Sequence, residues 1–522
     1  MKSQRYDATA FILQILNGDC GPHRSQFIFM IARVRICFNH VSGATMNQVQ
    51  RIVKNIGVTG SAQILTALMS FVFMIYLARF LGEAGFGKYN FAFSLTTLLV
   101  TFTDLGVNQL LVREIARERD LSSYYVNNAV FLKIPLSILT FVLIAVLAWT
   151  LNLSSDASIL LYLFGIYNIL LTVSGTYLSL FQAWERMEYV ALFQIIERLF
   201  IVTLGLGVLI MGYGLMVVAW VYVFAGILDI AVAASLSFRR FIRPSRSIDT
   251  GLQKKLLLMG LPFGLNSLFA VFFFKIDTVL LGLLRDDVAV GIYNAAYNPL
   301  LALSMIVAGM VSAAVYPVMS RYFREDAGSL SGFTRISSRY LAIAGFPVAA
   351  GCLVLADRFI GLFYAGGYGG AVPAFQILAL FIPIRLVSTI TGTLLSSIDR
   401  QEYRMLSVGI SAAFNIVLNM IFIPYYSYIG AAAATVLSEL LLYILFLYYI
   451  GKAYDDVKLN REFIKPAAAS ALMALMIYPL REINLLLVIG AAALIYLISL
   501  ILLREFREED RALLMNLLGR NT

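Results

Sequence analysis

Fourteen apolar stretches, each about as long as a bilayer-crossing helix, follow one another from position 55 onward. They lie near 57–80, 86–110, 127–150, 157–182, 189–211, 214–236, 256–283, 289–317, 338–360, 373–396, 405–424, 427–450, 464–480 and 484–503. About 20 mostly apolar residues in a helix cross the hydrocarbon core of a bilayer. Barrel strands would be about 10 residues long and strictly alternating, so the spans read as helices. Composition agrees, with 60% of the 522 residues hydrophobic and 13% charged, against about 25% charged in a soluble domain. A globular fold of this size cannot bury so much apolar surface, so the excess faces lipid. The expected class is an all-α polytopic membrane protein. A soluble enzyme, a disordered chain and a secreted disulfide scaffold are excluded, the last because the chain has only three cysteines.

The charges set the orientation. With the segment before the first span placed inside, 26 of the 40 Lys and Arg residues fall in inner segments and 5 in outer ones. The net charge of +10 therefore reads as a topology signal and not as a nucleic-acid patch. A multi-pass protein of a prokaryotic cytoplasmic membrane with both ends inside is expected. His23 and His40 both precede Met46, so the rest of the chain has no histidine for metal or acid–base work. Cys20-Gly-Pro-His23 and Cys37-Phe-Asn-His40 carry zinc-type donors, but usual fingers pair Cys with Cys and His with His, and no metal is expected. Residues 1–45 fit the rest poorly and read as lying upstream of a true start at Met46.

An internal repeat divides the spans. Gly87-Lys-Tyr89-Asn90-Phe-Ala92 opens the second span and Gly291-Ile-Tyr293-Asn294-Ala-Ala296 the eighth, 204 positions apart. Glu185-Arg186-Met-Glu188-Tyr189 precedes the fifth and Asp399-Arg400-Gln-Glu402-Tyr403 the eleventh, 214 apart. Six spans separate each pair, so two six-helix lobes are expected, related by a pseudo-twofold along the membrane normal. The organisation is then residues 46–240 as the first lobe, 241–255 as a basic linker on the anionic inner leaflet, 256–455 as the second lobe, and 456–522 as two further helices with a tail. The tail from Arg504 reads either as an amphipathic surface helix or as a solvated end.

From Met46 to about 503 the sequence resembles the Wzx-like polysaccharide-biosynthesis flippases of the multidrug/oligosaccharidyl-lipid/polysaccharide exporter superfamily. The likeness rests on Leu77-Ala-Arg79-x-Leu-Gly82-x-x-Gly85-x-Gly87-x-Tyr89, on FKIDTVLLGLLRDDVAVGIYNAAYNPL from Phe274, and on FNIVLNMIFIPYYSYIGAAAATVLSE from Phe414. One departure is Tyr426-Ser427-Tyr428, where the family usually turns on Gly. The resemblance implies a flippase that moves a polyprenyl (di)phosphate-linked oligosaccharide by alternating access. It also implies that spans thirteen and fourteen form a groove for the lipid tail.

An anionic glycan head can cross hydrocarbon only through a wet cationic cavity. A charge at mid-membrane costs at least ~2.5–3.5 kcal/mol and so faces such a cavity or a partner. Arg198, Lys275 and Arg385, with Arg79 and Lys133 nearer span ends, are the candidate phosphate or acidic-sugar ligands. The alternative for Arg79 and Lys133 is snorkelling. Asp277, Glu197 and Asp104, ahead of Asp229 and Glu439, are the candidates for coupling transport to H⁺ or Na⁺, with structural pairing as the alternative. Tyr293, Tyr297 and Asn294 are weaker candidates for sugar contact. Pro262 and Gly264 break span seven and Pro299 breaks span eight, so these are the expected hinges and the second lobe the more mobile.

No Walker-type loop, catalytic triad or cofactor motif stands out, so a non-enzymatic, gradient- or potential-driven transporter without ATP or cofactor is expected. Its partners would be a lipid-linked oligosaccharide, membrane lipids and the coupling ion, and a monomer would suffice. The rivals are a cation-coupled drug antiporter of the same superfamily, which would prefer an acidic and aromatic lining, and a membrane glycan polymerase or ligase, which would need a large outer loop.

Overall fold

The computed structural model describes residues 48–243, 248–325, 327–454 and 463–505. The Cys/His pairs before Met46, the centre of the basic linker and the tail beyond Glu505 lie outside them. By contact the chain divides into Met1–Lys54, of which only the helical residues 48–54 are described, and Asn55–Thr522, which holds everything below.

The described residues form α1 (Gln48–Asp104), α2 (Val107–Arg117), α3 (Ser122–Thr150), α4 (Ser155–Ala183), α5 (Met187–Ile210) and α6 (Leu215–Arg240) in the first half. The second half contributes α7 (Thr250–Leu284), α8 (Asp287–Glu325), α9 (Ala327–Val354), α10 (Ala356–Tyr364), α11 (Ala371–Ala379), α12 (Phe381–Ser397) and α13 (Gln401–Ala453). The last two helices are α14 (Ile464–Ile477) and α15 (Leu485–Leu502). Among the described residues 11 helical stretches are long and apolar enough to cross a membrane, and a shorter apolar one covers Ile464–Leu480. The chain is an all-α polytopic membrane protein.

Two of these stretches each hold two expected spans. α1 is broken at Gly82 (φ 67°, ψ 179°) and α13 at Ser427 (φ 51°, ψ −133°). Glycine adopts the first conformation freely, whereas serine pays for the second with Cβ crowding of about 1–3 kcal/mol. The family departure at Tyr426-Ser427-Tyr428 thus falls on the one residue of that turn with positive φ. Ser427→Gly should raise the stability of the detergent-purified protein by about 1 kcal/mol, read as a higher thermal unfolding midpoint. An unchanged midpoint would mean that the turn is not strained.

The expected hinges need one correction. Neither Pro262 nor Pro299 ends its helix, because α7 and α8 both run through them. A proline removes one intrahelical bond, and a packed helix can absorb that as a bend. The spans that do divide are the second, between α1 and α2, the ninth, between α9 and α10, and the tenth, between α11 and α12. Pro383 has no N–H to offer the Ala379 carbonyl four residues back, and α11 ends at Ala379.

Hydrogen bonds identify the two ends of the bundle. At the basic face Asn55 and Arg119 both meet Glu185, and Arg240 donates to the Tyr189 hydroxyl at 2.8 Å. The described ends of the linker are sewn to the first turns of α3, where Asn127 donates to the Arg243 carbonyl at 3.1 Å and Asn128 accepts from the Asp249 amide at 2.8 Å. Asp249 caps α7 through the Leu252 amide, 3.0 Å away. The Tyr124 hydroxyl and that amide hold its carboxyl below the usual carboxylate range. At the opposite face Arg79 of α1 donates to the Phe363 and Leu362 carbonyls ending α10, at 2.7 and 2.6 Å. Arg285 likewise serves the Ile423 and Pro424 carbonyls. Cations suit helix C-termini, whose last carbonyls lack internal donors.

Candidate functional site

The repeat glycines mark where the halves meet at the opposite face. A Cβ on Gly87 would sit 1.7 Å from the Asp287 carbonyl oxygen, and one on Gly291 would sit 2.0 Å from that of Glu83. Glu83 and Asp287 are themselves 204 apart. The contact is therefore reciprocal, as a twofold requires, and it closes α1 onto α8 at that face. Only glycine allows the two backbones to approach so closely.

At the basic face the same symmetry is broken. Gly106, with φ +81°, seats against α7, where its Cβ would lie 2.2 Å from the Gly260 carbonyl oxygen, and a Cβ on Gly264 would lie 2.5 Å from the Leu105 carbonyl carbon. The positions 204 earlier or later are Gly60 on α1 and Met310 on α8. A Cβ on Gly60 would meet nothing within 4 Å. Between α1 and α8 lies instead a cavity of about 890 Å³, with Gly60, Gln63, Gly309 and Ala313 in its wall beside the larger apolar Ile64, Met305, Ile306 and Met310. The bundle is sealed along α2/α7 and open along α1/α8.

Two further cavities adjoin this vestibule along α8. Toward the opposite face, sharing Ala302 and Ile306, an apolar groove of about 760 Å³ lies among α1, α8, α9, α14 and α15, with Leu303, Pro347, Met473, Ala492 and Leu497 on its walls. In the other direction, sharing Ala313, a polar recess of about 550 Å³ reaches Ser312, Thr393, Ser396 and Arg404. From Pro299 to Pro317, α8 walls all three over about 27 Å at 1.5 Å per residue.

The candidate cations separate into held and unheld groups. Lys133 is fully buried and spends its ammonium on Asp104 (2.8 Å), Asn108 (2.7 Å) and the Thr172 carbonyl (2.9 Å). Its three donors are all used, so its place is structural. Arg79 is committed to the end of α10, as above. Arg385 keeps a longer pair with buried Glu439, at 3.5 Å to each oxygen, and its guanidinium lies 4.8 Å from the Phe274 ring centre. Ser388 holds Glu439 at 2.6 Å. Among the described residues no hydrogen bond or ion pair holds Lys275 or Arg198, and the Arg198 Nε is buried without a partner.

The acids separate as well. Asp104 is neutralised by Lys133. Glu197 accepts from the Tyr167 hydroxyl at 2.5 Å and makes no pair with its neighbour Arg198; adjacent helical residues point about 100° apart. Asp229 is held by Ser174. Asp277 is 1% exposed, and among the described residues no ion pair holds it. Tyr293 and Thr435 donate to its Oδ2 at 2.9 Å each, and Asn419 donates to its Oδ1. Asn415 carries its own carbonyl and amide oxygens to Asn419, and the Asn419 Oδ1 is buried without a partner. A single carboxylate among amide and hydroxyl oxygens suits a hard monovalent cation or a proton. Sequence reading missed Asn415, Asn419 and Thr435. The signal was there as two asparagines four apart, which share one helix face.

The first half lacks this cage. Phe73 stands 204 positions before Asp277, and Gly205 stands 214 before Asn419. Tyr89 meets Tyr222 at 2.8 Å as Tyr293 meets Thr435 at 2.9 Å. Phe73 fills the centre, and a Cβ on Gly205 would strike its ring at 2.7 Å.

The model of the polysaccharide biosynthesis protein family matches residues 52–323. The chain belongs to that family. It is 29% identical over 260 residues to the "Probable flippase AglR" of Haloferax volcanii, an alignment covering 47% of this chain and 53% of that protein. The chain thus spans about half the length of that relative. It is 24% identical over 399 residues to the "Probable low-salt glycan biosynthesis flippase Agl15" of the same organism, covering 75% of this chain and 81% of that one. Among solved structures the lipid II flippase MurJ in an inward closed conformation shares the fold, with a TM-score of 0.73 and 15% identity over 86% of this chain and 99% of that one. The arrangement of helices seen in that structure therefore extends over most of the chain.

Proposed function

We propose that the chain is a flippase for a polyprenyl (di)phosphate-linked oligosaccharide, carrying it from the cytoplasmic to the outer leaflet of a prokaryotic cytoplasmic membrane without covalent chemistry. The observation that carries the reading is the order of cavities along α8: apolar groove, lateral vestibule with Asn55, Ser61 and Gln63 in its wall, polar recess. That order matches an amphiphile with a long apolar tail, a charged linkage and a hydrophilic head. The tail stays in lipid, in the groove among α14, α15 and α9, while the head enters through the α1/α8 opening. The relatives named as flippases support the same reading. The excess of Lys and Arg at the basic face supports reading that face as the cytoplasmic one.

Lys275, Arg198 and Arg385 are the ligands for the anionic linkage. Among the described residues no hydrogen bond or ion pair holds Lys275, and Arg198, near Glu197, leaves its Nε buried without a hydrogen bond; an unpaired charge inside a bundle is costly, and a phosphate removes that cost on arrival. Asp277, with Asn415, Asn419 and Thr435, holds the coupling H⁺ or Na⁺. Ion release and binding there, on α7 and α13, drive the second half between its two positions, and Pro262 and Gly264 let α7 bend.

Purified protein in nanodiscs should bind a polyprenyl diphosphate-linked sugar, and Lys275→Gln should weaken that binding about tenfold, as loss of a charge-assisted hydrogen bond does. Binding of ethidium with indifference to the glycolipid would overturn the reading in favour of a drug antiporter.

A further inference from the structure

Arg404 lies eight residues beyond Ser396, across the turn between α12 and α13, and its Nη1 donates to the Ser396 hydroxyl at 3.0 Å. That bond fixes one corner of the guanidinium. Gly392, one helical turn before Ser396, lies beside it: a Cβ there would be in ordinary contact with the Arg404 Nε at 3.6 Å and in tighter contact with the Phe446 ring at 3.0 Å. The residue is exposed, and what it faces is the polar recess, with Ser312, Thr393 and Gln401 around it. Ser312 and Thr393 are 3.3 Å apart, oxygen to oxygen, and bridge α8 to α12 beside it. Among the described residues no carboxylate pairs with Arg404. The other arginine of this turn differs, since Arg400 pairs with Glu402 at 3.7 Å.

We propose that Arg404, oriented by Ser396 and flanked by the Ser312 and Thr393 hydroxyls, is the entry site for the phosphate oxygens of the lipid-linked substrate. This inference rests on the flippase reading and adds to it a first station, at the cytoplasmic mouth, before Arg385 and Lys275. The chemistry fits on three counts. A guanidinium offers a planar fork of donors that matches two phosphate oxygens at once, which an ammonium cannot. Thr393 gives its hydrogen to the Thr389 carbonyl, so Ser312 donates to Thr393, and it is the Ser312 hydroxyl, neutral and weakly held at 3.3 Å, that can turn to a phosphate oxygen. The site opens to water, so the anion arrives with part of its hydration shell. Position supports the same order. The recess shares Ala313 with the vestibule, and the vestibule shares Ala302 with the groove, so a phosphate at Arg404 stays tethered to a tail lying along α8. The recess sits at the basic face, the side from which the substrate would come. Arg385, on the same α12, keeps its buried carboxylate Glu439, and it becomes available only when that pair loosens. Arg404 needs no such exchange, and this makes it the earlier contact.

The test compares wild type, Arg404→Gln, Arg404→Lys and the control Arg400→Gln as full-length chains in nanodiscs. The probes are a polyprenyl diphosphate, the neutral polyprenol of the same length and inorganic pyrophosphate. Wild type should bind the polyprenyl diphosphate with an affinity that falls as salt rises. Arg404→Gln should weaken it by tenfold or more and flatten the salt dependence, while polyprenol binding, held by the groove, stays unchanged. Arg404→Lys should recover only part of the loss, because it keeps the charge without the fork. Arg400→Gln should match wild type. Pyrophosphate that competes with the lipid in wild type and not in Arg404→Gln would place the recognition on the phosphate and not on the lipid surface. Wild-type affinity and salt slope in Arg404→Gln would overturn the entry site and leave the flippase reading standing. A wild type that binds no polyprenyl diphosphate would overturn both.

Discussion

Asp277→Asn is expected to insert and fold like wild type yet to lose gradient-driven transport by at least about tenfold. The side chain keeps its shape, and its amide oxygen still accepts from Tyr293 and Thr435, which now stand 2.9 Å from the Asp277 Oδ2. What disappears is the one negative charge among Asn415, Asn419 and Thr435, and with it the affinity for a cation or the capacity to take up a proton. A factor of ten corresponds to about 1.4 kcal/mol, a modest demand on a site whose only formal charge has been removed. Initial rates in proteoliposomes under an imposed Na⁺ or pH gradient provide the measurement. Asp229→Asn is the matched control, because Ser174 already holds Asp229 in the first half and no cage surrounds it. If Asp277→Asn answers the gradient as wild type does, the coupling site lies elsewhere. If both variants lose the response equally, the second half has no special part in it.

Gly291→Ala is expected to prevent closure at the opposite face and to abolish transport. The new methyl carbon would lie 2.0 Å from the Glu83 carbonyl oxygen, well inside contact distance. Both partners are backbone, so relief requires that α1 and α8 separate by about an ångström or more, and close-packed helices do not yield that smoothly. Cysteine labelling from the outer side should show positions near Glu83 and Asp287 becoming reactive in Gly291→Ala but not in wild type. Gly207→Ala serves as the control, since nothing lies within 4 Å of its added carbon. Normal transport by Gly291→Ala would mean that this seam is not a gate.

The membrane fold was readable because lipid imposes a length and an apolarity that single residues cannot disguise. Each of the fourteen expected spans falls on helix, although the second, ninth and tenth are each shared between two helices. Their edges were less readable, since α1 and α13 carry helical hydrogen bonding past Gly82 and Ser427, where only one residue leaves the helix. The repeat was visible as Gly-x-Tyr-Asn, but its cause was not. Gly87 and Gly291 face the other half's backbone, and a pairwise contact across 204 positions leaves no periodicity to read. Sequence could not tell that the helices run on through Pro262 and Pro299, because whether proline breaks or merely bends a helix depends on its neighbours. Charges were found easily, yet sequence could not separate the held from the unheld. Lys133 and Lys275 look alike until the fold brings Asp104, Asn108 and Thr172 around the first and, among the described residues, no such partners around the second. The neutral ligands around Asp277 and the arginine at the vestibule mouth lay hidden for a related reason. Asparagine, threonine and a loop-adjacent arginine are common in membrane proteins, and only their convergence makes them a site.

The central claim is that the open track along α8 conducts a phosphate-bearing glycolipid between leaflets. Its most direct measurement is the transbilayer movement of a fluorescent polyprenyl diphosphate-linked sugar in liposomes containing the purified full-length chain, followed by quenching from outside. Rapid movement that accelerates under an ion gradient, and that collapses when paired cysteines at Gly60 and Met310 are cross-linked across the vestibule, is the expected result. Movement no faster than in protein-free liposomes, or movement untouched by closing that opening, would contradict it.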